Sequence, residues 1–252
     1  MKKRIWLMAA AIALIIICAG CVNNSGEEAD VTPALTTVPT LTPVPETPEP
    51  MAEIPADISN AMHTLSLSPD RLDKCEQLIF VKADGSAARI SAYERGGSGE
   101  WTTAMPDVAG HVGIGGLTEE KTEGDKKTPA GLYGLGMAFG TEPEPETKLS
   151  YRQIDGGSYW VDDGASPAYN TWVEGAGDWR SAEHLADHQS AYALAVVIEY
   201  NTDPVIPYAG SAIFLHCGST PTAGCVSVAH EDMVRMLKWL DPSANPMILI
   251  CP

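Results

Sequence analysis

Basic residues are scarce in this chain: 16 lysines and arginines stand against 33 aspartates and glutamates, a formal net charge of −17 over 252 residues. So acidic a protein has no phosphate-neutralising surface, which excludes nucleic acid as a partner. No apolar run reaches the roughly 20 residues that a transmembrane helix needs; the longest, Ile5 to Ala19, stops short. Internal repeats are absent. So is the phosphate-loop spacing G-x-x-x-x-G-K-[ST], although GIGG (113–116) and GDKKT (124–128) carry the right residue types; turn chemistry accounts for these glycines. Large apolar groups are also missing from Val22 to about Leu72, where the chain reads TTVPTLTPVPETPEPMAEIP. Proline this dense donates no backbone hydrogen bonds, and the few apolar groups do not offset the entropy of ordering.

What is present begins with Lys2, Lys3 and Arg4 ahead of the apolar run, which makes residues 1–20 a secretion signal. Its removal takes away three basic residues and moves the net charge from −17 to −20. Cys18-Ala19-Gly20-Cys21 resembles the lipobox of bacterial lipoproteins, with Cys18 where leucine is preferred. The resemblance implies that Cys21 is lipidated, and that the protein is extracytoplasmic, held to the cell membrane through its N-terminal lipid and facing the cell wall. Residues 21–72 then form a disordered Thr/Pro-rich linker, reaching on the order of 150 Å as polyproline II or about 40 Å as a coil.

From Cys75 the pattern changes to short strands punctuated by glycine. QLIFVKA (77–83) and ARISAYER (88–95) flank Asp84-Gly85-Ser86-Ala87, a hairpin signal. Further strands are expected at 101–105, 111–114, 159–162, 192–200, 212–216 and 247–250. One helix is clear: Met233, Val234, Met236, Leu237 and Leu240 repeat at helical spacing, Glu231 and Asp232 open it, and Asp241-Pro242 ends it. The expectation is one mainly β domain over residues 73–252, with few short helices. Cys75 opens its first strand and Cys251 closes its last, and domain termini often lie close together. A Cys75–Cys251 disulfide is therefore expected in an oxidising exterior, the alternative being two inert buried thiols.

The densest chemistry lies in IFLHCGSTPTAGCVS (213–227). His216 closes an apolar strand, and Cys225 follows after a loop containing Gly218, Pro221 and Gly224. Two strand ends joined by a tight loop place an imidazole beside a thiol, which lowers the thiol pKa and yields a nucleophile. Gly224 leaves room for a substrate carbonyl, and amides around Gly224 and Cys225 would form an oxyanion hole. On spacing alone the same residues also fit a core histidine and a small buried thiol. A zinc site is a poorer fit, because His216 and Cys217 are adjacent on a strand and face opposite ways, with no fourth ligand near.

IFLHCGSTPTAGCVSV followed by an amphipathic helix resembles the active-site end of bacterial L,D-transpeptidase catalytic domains. The resemblance continues through GIGGLTEEKTEGDKKTPAGLYGLGMAFG (113–140), LSYRQ (149–153), YWVDD (159–163), Tyr169-Asn170 and SAEHL (181–185), covering nearly all of 75–252. It implies an L,D-transpeptidase-type β-sandwich and a cysteine acyltransferase needing neither cofactor nor metal. By resemblance Cys225 is the nucleophile, His216 the base, and the backbone carbonyl of Cys217 the group that orients His216. The implied partners are peptidoglycan stem peptides, as donor and acceptor. Attack at the third residue of a tetrapeptide stem releases D-alanine, and an amine of a second stem opens the thioester to form a cross-link. If water opens it instead, the enzyme is a carboxypeptidase; a fold-retaining, inactive wall-binding lipoprotein is the non-enzymatic rival. A sortase fits less well, since Arg235 is the only arginine after Cys225. Ser227 stands where many relatives carry an arginine, and it cannot grip a carboxylate bidentately. His184 is a candidate for lining the substrate groove; His63, His111, His188 and His230 receive no role.

Overall fold

The computed structural model describes residues 53–252. The expected signal segment, Cys21 and the linker as far as residue 52 lie outside the described residues. The strands are β1 (Gln77–Asp84), β2 (Ala87–Arg95), β3 (Trp101–His111), β4 (Leu117–Thr118), β5 (Thr128–Pro129), β6 (Gly131–Gly140) and β7 (Tyr151–Gln153) in the first half. They continue with β8 (Ser158–Val161), β9 (Trp172–Glu174), β10 (Ala182–His184), β11 (Ala195–Ile198), β12 (Phe214–Cys217), β13 (Val226–Val228) and β14 (Met247–Cys251). The class is mainly β, as expected, with two α-helices among the described residues, α1 (Ala56–Thr64) and α2 (His230–Trp239).

Nine strands form one sheet in the order β11-β12-β13-β3-β2-β1-β14-β6-β7, and β6 also pairs with β11. That second pairing closes the sheet on itself and leaves β7 as a flap beside β6. β11, β12, β13, β14 and the first half of β1 bury both faces and read as nearly continuous apolar runs, whereas β2 alternates and β3 is largely exposed. In β1, Ile79 and Val81 join the core inside the closure, while Leu78 and Phe80 join a second core outside it. β14 divides likewise, with Ile248 and Ile250 inside and Leu249 and Cys251 outside. α2 buries Met233, Met236 and Leu237 in the inner core beside Leu215 and Val226. A small sheet, β10-β8-β9, covers a third cluster on β6, β11 and β12.

Two expectations need correction. The linker does not run to residue 72: α1 buries Ile58, Ala61, Met62 and, just past its end, Leu65 against Leu78, Phe80 and Leu249. These four residues recur at i, i+3, i+4 and i+7, an amphipathic helical stripe standing immediately after the proline-rich stretch. The Tyr93 hydroxyl ties the helix to β2 by donating to Asp57 at 2.8 Å. The expected Cys75–Cys251 bridge is also excluded. β1 and β14 are parallel, with Leu78 opposite Met247 and Lys82 opposite Cys251. The Glu76 amide donates to the Ala244 carbonyl at 2.8 Å, placing Cys75 before the start of β14. Cys251 lies at its far end, about 20 Å along the strand, whereas a disulfide needs Cα atoms within about 7 Å. Both thiols are free and buried.

Candidate active site

β12 and β13 are parallel neighbours, with Leu215 opposite Val226 and His216 opposite Ser227. Alternation along β12 sends Leu215 and Cys217 into the inner core and Phe214 into the outer cluster under the small sheet. His216 shares the Phe214 face, so its imidazole and the Cys217 thiol point to opposite sides. Residues 218–225 join the two strands, a short connection for a parallel pair. Thr222 holds this loop down: its amide donates to the Val112 carbonyl at 3.0 Å and its carbonyl accepts from the Ile114 amide at 2.9 Å.

Cys225 ends the loop at the level of Phe214. Its sulfur accepts from the Phe214 amide at 3.3 Å, and its S–H donates to the Ala212 carbonyl at 3.2 Å. The Cys225 carbonyl accepts from two threonine hydroxyls, Thr222 at 2.6 Å and the fully buried Thr128 at 3.2 Å. Thr128 belongs to the TPAG run, so that distant motif anchors the cysteine backbone. Burial, reinforced by the carboxylate of Glu183, pushes the Cys225 thiol up to about 12 despite the Phe214 amide and the Lys121 charge. The thiol is therefore protonated at neutral pH in the free protein.

His216 Nδ1 lies 2.7 Å from the Cys217 carbonyl oxygen. A carbonyl only accepts, so Nδ1 carries the proton and the neutral ring presents the Nε2 lone pair. Burial lowers the His216 pKa, outweighing the Cys217 carbonyl that favours the charged ring. His216 and Cys225 both line one cavity of about 630 Å³, together with Gly224, Lys121, Asp162, Glu183, His188 and Tyr192. Tyr192 links the two sides: its ring meets Phe214 and His216 edge-on, each at 5.6 Å between centroids, and its hydroxyl donates to Glu183 at 2.7 Å. His188 Nε2 stands 3.2 Å from the same Glu183 oxygen.

The structure thus brings together His216, Cys225, Gly224 and the Cys217 carbonyl. Gly224 takes φ +152°, and a Cβ there would stand 3.2 Å from the Lys127 carbonyl oxygen. Its amide, however, donates to the Thr222 hydroxyl at 3.1 Å, so the part of the expected oxyanion hole assigned to it is occupied within the loop. The Cys225 amide makes no hydrogen bond among the described residues. Ser227 is fully buried, its hydroxyl 3.3 Å from the Thr220 carbonyl, and is not a cavity wall. His184 does not line the cavity either; it stacks on Tyr159 at 4.6 Å between centroids and pairs with Asp187 at 2.9 Å. Sequence reasoning missed Lys121, Asp162, Glu183, His188 and Tyr192. The EKTEGDK and SAEHLADH runs hold three of these five, Lys121, Glu183 and His188, but neither run signals which of its groups turn inward.

A mainly β domain that presents a thiol and a neutral imidazole from adjacent parallel strands to one cavity is the arrangement met here. The chain belongs to the L,D-transpeptidase catalytic domain family, YkuD, whose model matches residues 78–249. A comparison with curated protein sequences gave no match. Among solved structures, the chain resembles the helical cell shape determining protein Pgp2 from Campylobacter jejuni, with 16% identity and a TM-score of 0.39. The match covers 69% of this chain and 46% of that one, so the chain spans less than half the length of that protein.

Proposed function

We propose that this protein is a cysteine-dependent L,D-transpeptidase acting on peptidoglycan stem peptides outside the cytoplasmic membrane. The observation that carries the reading is the tautomer of His216. The Cys217 carbonyl holds the proton on Nδ1, which leaves Nε2 as the basic nitrogen of a ring lining the same cavity as Cys225. In the free protein the thiol proton points to the Ala212 carbonyl. Reaction therefore begins with the sulfur leaving that carbonyl and passing its proton to Nε2. The thiolate attacks the carbonyl of the third stem residue, and the Cys225 amide receives the developing oxyanion. As the tetrahedral adduct collapses, the C–N bond to D-alanine breaks and the imidazolium returns its proton to the leaving amine. An acceptor amine, deprotonated by the same imidazole, then attacks the thioester, expels the Cys225 sulfur and leaves a cross-link between two third residues. Membership of the family supports the substrate class.

Incubating the purified protein with tetrapeptide-bearing muropeptide dimers and weighing the products tests the proposal. Cross-linked product with release of alanine is expected. Trimmed tripeptide alone would reassign the enzyme as a carboxypeptidase, and unchanged substrate would point to a wall-binding protein. The lipid anchor at Cys21 belongs to the same reading: Cys21→Ser should release the protein from membranes or leave it unprocessed, and membrane retention of a fully processed variant would contradict it.

A further inference from the structure

The cavity beside Cys225 contains one buried cation that the proposed chemistry leaves unassigned. Lys121 has only 4% of its side chain exposed. Its stem runs across Gly210, where a Cβ would meet the Lys121 Cγ at 2.8 Å, and its ammonium ends 3.6 Å from the Cβ position of Gly224. Gly210 has φ +100°, so only glycine both adopts this backbone comfortably and leaves room for the stem. Of the three N–H groups of the ammonium, one meets Asp125 Oδ1 at 2.6 Å and one reaches the Thr122 carbonyl at 3.4 Å. The third has no partner among the described residues.

Asp125 does not hold Lys121 alone. Its carboxylate also accepts from the Thr122 amide at 3.0 Å and the Lys127 amide at 2.8 Å. Burial by itself would raise its pKa, but the Lys121 ammonium and these amides outweigh burial and hold the carboxyl below its usual range. The negative charge is thus shared among three donors, and the ammonium keeps attraction for a second anion. The other cavity groups tell an anion where not to go: Asp162 and Glu183 are acidic, and the Glu123 carboxylate is engaged by the Tyr169 and Ser211 hydroxyls. The other lysine lining the cavity, Lys126, is exposed. Arg180 is committed to Asp163, donating from its Nη2 at 2.6 Å and its Nε at 3.1 Å.

We infer that Lys121 binds the terminal carboxylate of the donor stem, the carboxylate of the residue that leaves. The inference rests on the proposed reaction. With the scissile carbonyl at the Cys225 sulfur, the carboxyl carbon of the next residue lies about 3–4 Å from the reacting carbon by bond geometry, and its oxygens extend about 1 Å further. An ammonium beside Gly224 stands within reach of such a group, and a charge-assisted hydrogen bond gains strength where water is excluded. Lys121 is then the group that restricts the enzyme to stems ending in a free carboxylate one residue past the attacked carbonyl.

The test compares a donor tetrapeptide carrying a free terminal carboxylate with the same peptide as its terminal carboxamide, in the wild-type protein, Lys121→Met and Lys121→Arg. The wild type should prefer the acid by about 10- to 100-fold in kcat/KM, the range of one hydrogen bond to a charged group. Lys121→Met should process the acid no faster than the amide, and Lys121→Arg should retain part of the preference. A wild type that processes acid and amide alike overturns the inference without any variant being needed, and leaves the proposed reaction standing. Equal loss on both peptides in a folded Lys121→Met also overturns it, since that pattern assigns Lys121 to the thiol. Failure of the wild type on both peptides overturns the proposed reaction, and this assignment with it.

Discussion

The amide of Phe214 donates to the sulfur of Cys225 at 3.3 Å, from a strand level with it and on the same wall as His216. This bond is the nearest stabilisation a thiolate would find, yet burial dominates and the thiol stays protonated near neutrality. The resting pair is therefore neutral thiol and neutral imidazole, not a preformed ion pair.

That state has a signature in pH. Alkylation of Cys225 by iodoacetamide in the free protein should be slow at pH 7 and rise about tenfold per unit through the alkaline range toward the thiol pKa of about 12. A plateau of fast alkylation reaching down to pH 5 would reveal an ion pair and contradict the assignment. Turnover should behave differently, because it needs only an unprotonated His216. Burial lowers that group from its ordinary 6.5, so kcat/KM should be at its full level by neutral pH. It should fall only as acidification below 6.5 protonates the imidazole, a limb read directly from a pH–rate profile.

The two cysteines of the active-site strands separate cleanly. Cys225→Ala should abolish acylation by a carbapenem, with a rate loss on the order of 10⁶ if the nucleophile behaves as in serine enzymes. Cys217→Ala should retain most of it, since its sulfur is buried in the inner core and the orienting group is its carbonyl. Intact-mass spectrometry after carbapenem exposure checks both. A dead Cys217→Ala beside an active Cys225→Ala would reverse the assignment.

The N-terminal boundary can be tested by truncation. A protein starting at Glu53 keeps α1 and should match the longer chain in urea unfolding. One starting at Asp73 loses Ile58, Met62 and Leu65 from the outer core. At about 1.5–3 kcal/mol for each buried side chain, this costs several kcal/mol as an upper figure. A lowered urea midpoint is expected, and an unchanged one would mean that α1 contributes nothing.

For Cys75 and Cys251 the expectation is chemical silence. Burial pushes Cys75 up to about 12 and Cys251 up to about 11, so both should resist alkylation in the folded protein. Unfolding without reductant should expose two free thiols, and reductant should leave the melting temperature unchanged. A mass two units low at this pair would contradict the parallel register.

The sequence was most legible where local chemistry decides structure. Gly85 and Ser86 make the turn between the paired residues Asp84 and Ala87, with Gly85 at φ +59°, as the hairpin signal requires. α2 follows from its apolar repeat. β3 was harder: the expected strands at 101–105 and 111–114 are replaced by one strand, Trp101–His111, which continues past Pro106 through a register shift opposite Ile90 and Ala92, where proline is tolerated. β6 was invisible, because GLYGLGMAFG has the glycine content of a loop. Two of those glycines, Gly134 and Gly136, instead leave room for the Glu199 side chain. In the site, Cys225 and His216 were legible because one loop joins them. Lys121, Asp162 and Glu183 were not, because only tertiary closure brings them to the same cavity. The disulfide expectation failed for a topological reason: the start of the first strand meets the end of the last only if the two run antiparallel, and β1 and β14 run parallel.

The place of β14 between β1 and β6 also sets the order in which the protein can be finished. β14 is the last described strand to leave the ribosome, yet it joins two strands made long before it, and it supplies Ile248 and Ile250 to one core and Leu249 to the other. Until it arrives, β1 and β6 present unpaired edges, and edges of that kind invite pairing with other chains. A nick removing only these few residues would leave a gap in the middle of the sheet rather than a frayed end.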